Sequence, residues 1–295
     1  MKTNLECIPC LQRQVVEAIR MATDEESKQE KVLRKVMRAL ERMDWRENQL
    51  SIAKKVHGIV VQEFGDPYMR VKEEGNRIAL ALYPEIKRSI EGSEDKIATA
   101  IKMSIAGNVM DFGPERRIDV NDAINRALST KLDEETYKGF LKDLESSDDV
   151  LFFADNCGEI VFDKPLLELL NRRVRFVVKK RPILNDAMAK DAIEVGISNM
   201  PNIELLEMET GENERLLGKK SLVISKGQGN YEALSEHKGV YFLLVAKCPL
   251  IAECLGVDVG SIVFSREIRK FGDSILNYDD PEELPNHLIV LEPSR

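Results

Sequence analysis

A doubly wound α/β fold with a mostly parallel sheet, preceded by an all-helical region, is predicted by two changes of pattern along the 295-residue chain. Up to about residue 145 apolar residues recur at helical spacing, and from Ser146 onward short continuous apolar runs alternate with helical stretches. The residues that follow those runs are polar, and in open parallel sheets ligands bind beyond the carboxyl ends of the strands. The expected division is a helical domain over 1–145 and an α/β domain over 146–295.

The helical elements follow from periodicity and breakers. Leu11, Val15, Ala18 and Ala22 repeat along one face, with Pro9 in a first helical turn. Val32, Val36, Met37 and Leu40 do the same, as do Ile52, Val56, Val60 and Phe64 before the breaker Gly65-Asp66-Pro67. Further helices are expected near 71–90, 94–107, 120–129 and 134–145, with Gly107 and Gly113 as helix ends.

Val150-Leu-Phe-Phe-Ala154 is a strand-length apolar run, as a parallel strand covered on both faces requires. A helix near 161–171 and a second strand at Val174-Arg-Phe-Val-Val178 complete a βαβ unit. Ser221-Leu-Val-Ile-Ser225 and Val240-Tyr-Phe-Leu-Leu-Val-Ala246 read as two more strands, and His287-Leu-Ile-Val-Leu291 as a last one. The stretch 250–285 reads either as helices on the sheet or as part of the cap.

A formal charge of -8 and a pI near 5.3 argue against a nucleic-acid binder, which needs a basic surface. No stretch approaches the ~20 apolar residues of a membrane span, and the first residues lack a signal-peptide core, so a cytoplasmic protein is expected. Cys7, Cys10, Cys157, Cys248 and Cys254 are too few and too uneven for a secreted disulfide framework.

Four polar sets follow the strands: Asp155 to Asp163, Lys179 to Asp186, Lys226 to Glu232, and Lys247-Cys-Pro249. In parallel strands all four meet on one edge. Asp155, Asn156 and Asp186 offer oxygen ligands for a hard divalent cation. The alternative is that Asp155 caps the next helix and Asn156 closes a turn. Asp191 reads as a solvated helix residue. Lys226-Gly-Gln-Gly-Asn230 reads as a flexible loop whose backbone N–H groups form an anion nest beside a lysine, or as a tight strand-to-helix turn. Lys247 offers a second positive charge, or is an exposed lysine at a strand end.

Metal plus lysines supply the charge neutralisation that phosphoryl transfer needs, with a metal-bound water or Asp155 itself as nucleophile. Glu159 either orients water or caps its helix, and Asp163 reads as a helix N-terminal carboxylate. Asn108 and Asp111, at the end of a helix, are placed to complete a pocket between the domains. Cys7-Ile-Pro-Cys10 has the spacing of half a zinc site or a redox pair, against two semi-buried thiols at a helix start. The scattered His57, His237 and His287 disfavour a triad enzyme.

Together, Ala106-Gly-Asn-Val-Met-Asp-Phe-Gly113, Asp155-Asn-Cys-Gly-Glu159 with Phe162-Asp163, Arg181-Pro-Ile-Leu-Asn-Asp186, Lys226-Gly-Gln-Gly-Asn-Tyr-Glu232 and Lys247-Cys-Pro249 resemble the damage-control phosphatases, also called domain-of-unknown-function family 89. The match spans nearly the whole chain, and Cys7 and Cys10 place it with the short microbial branch. The resemblance implies a Rossmann-like α/β domain with a helical region packed over the strand ends. It further implies a metal (manganese, cobalt, nickel or magnesium) held by Asp155, Asn156 and Asp186, and hydrolysis of sugar phosphates or damaged phosphometabolites. Asp155, Asp186 and Lys226 then carry the chemistry, Lys226 as the phosphate-binding lysine. Asn108, Asp111, Gly158, Glu159, Gly227, Gly229, Asn230 and Lys247 line the substrate. The loop departs from the Lys-Gly-Asp-Leu-Asn-Tyr of longer eukaryotic relatives, which bears on the substrate more than on the reaction.

Two other classes compete. A carboxyl methyltransferase would need a Gly-rich turn after the first strand, where Asp155-Asn156 stands instead. A non-catalytic metal-binding scaffold would not require four polar motifs on one edge.

Overall fold

The computed structural model describes residues 3–109, 120–218 and 220–266. The helical region comprises α1 (Cys7–Ala22), α2 (Glu26–Arg42), α3 (Gln49–Phe64), α4 (Met69–Glu91), α5 (Lys96–Val109), α6 (Val120–Ser129) and α7 (Glu134–Ser146). Local chemistry sets several ends. Asn48 caps α3 by accepting from the Leu50 N–H, Asp133 caps α7 by accepting from Thr136, and Gly65 closes α3 at φ 79°. Gly107, expected as a helix end, lies inside α5 instead: its missing side chain lets α5 approach α8 (Glu159–Leu169), where a Cβ would stand 2.8 Å from the Phe162 Cβ.

The sheet contains β1 (Asp149–Phe153), β2 (Val174–Lys179), β3 (Ile203–Met208), β4 (Ser221–Lys226), β5 (Val240–Val245) and β6 (Ile262–Ser265) in the order β3-β2-β1-β4-β5-β6. The first five are parallel, and β6 runs antiparallel to β5. From β1 the chain winds outward through β2 and β3, then crosses back to β4 on the other side. The switch point of a doubly wound sheet therefore lies between β1 and β4. β3 and β6 were not anticipated: both are edge strands, and β3 carries Glu204 and Glu207 among its apolar residues. The described part of the stretch 250–285, up to residue 266, contains α11 (Pro249–Leu255) followed by β6. The strand expected at 287–291 lies outside the described residues.

Alternation along the strands fills two layers. Val150, Phe152, Phe176, Ile224, Tyr241 and Leu243 form one face, sharing a core with α4, α5, α7 and α8. Leu151, Phe153, Val223, Phe242 and Leu244 face α10 (Gly227–Leu234) and α11. Each buried Leu or Phe side chain contributes roughly 1.5–3 kcal/mol. α1, α2 and α3 bury a separate core, against which Leu184 of the loop after β2 packs. Residue 145 is thus not a break between cores: α4, α5 and α7 belong to the same core as the sheet, and the independent core ends at Tyr68.

Candidate active site

The loops after β1 and β2 run side by side. Ala187 donates its N–H to the Asp155 carbonyl at 2.7 Å, Cys157 to the Asn185 carbonyl at 2.9 Å, and Asn156 and Asp186 form an isolated antiparallel bridge. This lacing brings Asp155, Asn156 and Asp186 together at the switch point.

Two amides then orient Asp155. Its Oδ2 accepts from Asn108 Nδ2 at 2.9 Å and from Asn156 Nδ2 at 2.7 Å. Both amides also donate to Glu159 Oε2, at 2.9 and 3.1 Å. With its nitrogen so engaged, the Asn156 amide has its oxygen left to act as a ligand. Asn108 Oδ1 accepts from the Val245 N–H, which ties α5 to the end of β5. Asp111 lies outside the described residues. Gly227, at φ 74°, presses against the same carboxylate: a Cβ there would stand 1.9 Å from Asp155 Oδ2.

Buried carboxylates crowd together at this point. Burial pushes the Asp155 carboxyl well above its ordinary pKa, Glu159 and Asp186 push it further, and Lys247 and Lys179 oppose them. Burial likewise raises Asp186, against the pull of Lys179 and Lys72. A divalent cation between such groups reverses the penalty. Two carboxylates and an amide oxygen are hard donors, and a cation such as Mg²⁺ keeps waters and substrate oxygens in its remaining positions. The residues therefore fit the group that the resemblance implies. Among the described residues no three His, Cys, Asp or Glu side chains converge as a metal site, so the amide is needed to complete the set.

Several candidates stand elsewhere than expected. Lys226 to Asn230 is not a flexible loop: Lys226 ends β4, and Gly227 to Asn230 form the first turn of α10. The Lys226 ammonium is fully buried, donating to the Ser104 carbonyl at 2.9 Å and to Asp163 Oδ1 at 2.6 Å, and standing 2.7 Å from Glu159 Oε1. Burial works against its charge, but Asp163 and Glu159 outweigh that and hold its pKa above the ordinary lysine value. Its three protons are thus engaged by the protein itself, which corrects the expectation of a phosphate contact. Asp163 is correspondingly a buried partner of Lys226 and Ser104, raised to about 6 chiefly by burial, and not a surface helix carboxylate.

Asn230 also turns inward. It donates to the carbonyls of Ala154 and Lys226 and accepts from Lys179 and Asn213, so it links the ends of β1, β2 and β4. Glu159, fully buried, anchors the two amides and Lys226. Asp191 is buried rather than solvated, accepting the Met188 N–H at the start of α9 (Ala189–Glu194). Gly158 opens α8 at φ 76°. Gly229 has open space where a Cβ would stand. Lys247 is half-buried beside Asp155, with the Gln228 side chain accepting from its backbone N–H.

Lys179 was expected only as the start of a strand-end set and given no role, and Lys72 and Asn76 were not anticipated as part of this site. Lys179 Nζ lies 3.7 Å from Asp186 Oδ2. Lys72 and Asn76 are fully buried on α4, with Lys72 paired to Asp66 at 2.9 Å. Their signal was available: two polar residues four apart, on the helix face that Ala79 continues. At the distant Cys-x-x-Cys, Cys7 is buried in the first turn of α1, and burial raises its thiol to about 11, with Glu232, Cys248 and Cys10 adding to the shift.

Comparison with known proteins shows the family and the fold. A family model described as the damage-control phosphatase ARMT1-like domain matches residues 3–263. The chain is 32% identical over 287 residues to a damage-control phosphatase of Archaeoglobus fulgidus, covering 89% of this chain and 98% of that one. It is 28% identical to a damage-control phosphatase of Pyrococcus horikoshii, covering 90% and 98%. The crystal structure of a family 89 protein from Pyrococcus horikoshii superposes with a TM-score of 0.78 at 27% identity, over 90% of this chain and 99% of that one.

Proposed function

Because this chain belongs to the damage-control phosphatase ARMT1-like domain family, we propose that it is a metal-dependent phosphatase hydrolysing phosphate monoesters of small metabolites, such as sugar phosphates or damaged phosphometabolites. The observation that carries the proposal is the set of Asp155, Asn156 and Asp186 laced together at the β1/β4 switch point, where burial and neighbouring carboxylates disfavour the free charge.

In this reading Asp155, Asn156 and Asp186 would hold the cation through their side-chain oxygens, and the bound cation would supply Lewis-acid neutralisation of phosphoryl charge. The chain's own residues do the rest. Asn108 and Asn156 hold the Asp155 carboxylate in one orientation. Lys247, beside Asp155, and Lys179, beside Asp186, add positive charge on the substrate side. Lys226 holds Glu159 in place, and so fixes both amides at one remove. The net reaction transfers the phosphoryl group from an alcohol oxygen to water, releasing inorganic phosphate.

The test is hydrolysis of an aryl phosphate and a sugar-phosphate panel by metal-stripped protein, with manganese, cobalt, nickel or magnesium added back. Turnover restored by metal and lost in Asp155→Asn is the expected result. A protein that takes up metal through Asp155 yet hydrolyses none of these esters would count against the reading.

A further inference from the structure

Helix α4 belongs to the helical region, yet one of its side chains reaches the turn that carries Asp155. Asn76 is fully buried, and its Oδ1 accepts the Gly158 N–H at 2.7 Å. Gly158 opens α8, so its N–H has no partner within that helix. At the other end of the same carboxamide, Nδ2 donates to Glu194 Oε2 at 3.1 Å. Glu194 closes α9, the helix that follows the Asp186 loop. One side chain thereby joins α4, the Asp155 turn and the element downstream of Asp186.

The opposite side of the turn is laced by backbone alone, through Ala187 N to Asp155 O and Cys157 N to Asn185 O. Those bonds tie the two ligand loops to each other but not to the helical region. Both ends of the Asn76 amide are engaged, which fixes its orientation. An aliphatic side chain of similar size would leave the buried Gly158 N–H without an acceptor, and the turn would shift to find one.

We propose that Asn76 is a positioning residue for the metal-binding turn Asp155 to Gly158: where Asn108 of α5 holds the Asp155 side chain, the buried Asn76 carboxamide of α4 holds the backbone of the turn. The proposal rests on the metal-dependent reading above. Groups that orient ligating side chains change metal affinity by roughly 10–100-fold when removed, and Asn76 acts one step further out, through backbone, so the lower end of that range applies.

The experiment titrates manganese into metal-stripped full-length protein by calorimetry, with wild type, Asn76→Ala, Asp155→Asn and the double variant Asn76→Asp/Glu194→Gln. The double variant reverses the polarity of the far hydrogen bond while keeping an acceptor for Gly158 and the same net charge. Asn76→Ala should bind manganese about tenfold more weakly, with affinity recovered in the double variant and turnover restored by raising the metal concentration. A general loss of fold would show neither recovery. Binding within twofold of wild type in Asn76→Ala, or a tenfold loss that the double variant does not recover, overturns the proposal. Should Asn76→Ala not fold, the double variant decides: near-wild-type affinity supports it and a loss overturns it. If wild type itself shows no binding that depends on Asp155, the metal-dependent reading fails, an outcome distinct from failure of the Asn76 role.

Discussion

At the scale of single residues, Gly227 and Gly229 look alike in sequence and differ in the structure. Gly227 stands where a Cβ would overlap the Asp155 carboxylate, whereas a Cβ at Gly229 meets nothing within 4 Å. Gly227→Ala is therefore expected to displace Asp155 and weaken metal binding and turnover at least tenfold, and Gly229→Ala to keep wild-type metal affinity; calorimetry on both variants checks this. Lys226 gives a second contrast. Removing one partner of a buried ion pair costs about 3–5 kcal/mol, so Lys226→Met should lower the denaturation midpoint strongly. A lysine that merely touched substrate would raise KM at unchanged stability. The two roles could not be told apart in sequence, because the partners Asp163 and Ser104 are brought to Lys226 only by folding. His57 supplies the pH dependence. Burial lowers its pKa from 6.5 to about 4, and its Nε2 lies 3.2 Å from Gln14 Oε1. The folded protein thus holds it neutral where the unfolded chain takes up a proton. Stability from this group is complete above pH 6.5 and is lost as pH falls towards 4, a loss of about 3 kcal/mol. Chemical denaturation of wild type and His57→Gln across that range should show a shallower acid decline in the variant.

Among elements, legibility followed burial. β1, β2, β4 and β5 lie inside the sheet with both faces covered, so each is a mostly apolar run that stands out from its surroundings, Arg175 of β2 being the one interruption. β3 and β6 are edges: Glu204 and Glu207 break the run of β3, and β6 is a four-residue strand too short to stand out. The same physics explains Gly107. Glycine near the end of a helical pattern is an ordinary stop signal, and only the neighbouring helix reveals that the position is needed for close approach. A Cβ at Gly107 would stand 2.8 Å from the Phe162 Cβ and 3.3 Å from the Glu159 Cα. Overpacking of this kind costs about 1–3 kcal/mol, and here the strain falls on the two helices that carry Asn108 and Glu159. Gly107→Ala is accordingly expected to lose activity beyond what its lowered melting temperature explains, measured as kcat at a temperature where both proteins are fully folded. Asn108→Ala should reproduce the activity loss without the overpacking.

For the molecule as a whole, the fold gathers acidic groups from separate segments and buries them side by side. Asp155 comes from the loop after β1, Asp186 from the loop after β2 and Glu159 from the start of α8; Glu159 adds to the burial penalty of both aspartates, and Asp186 to that of Asp155. The strand-end motifs made the location of this cluster legible, since parallel strands must deliver them to one edge. Its supports on α4 left only the spacing of Lys72 and Asn76 as a trace in the sequence; what that face meets is set by folding, which packs α4 into the core of the sheet. A site built this way is stabilised by what it binds. A ligand at a hundredfold excess over its Kd that binds only the folded state adds about 3 kcal/mol, which for a chain of this size raises the melting temperature by roughly 5–10 °C. Manganese or magnesium added to metal-stripped protein should produce a shift of that order in calorimetry. Asp155→Asn removes one of the repelling charges together with a ligand, so its metal-free melting temperature should equal or exceed that of the wild type while its response to metal disappears. A variant that melted lower without metal and still gained several degrees with it would show that the acidic cluster is not where the cation binds.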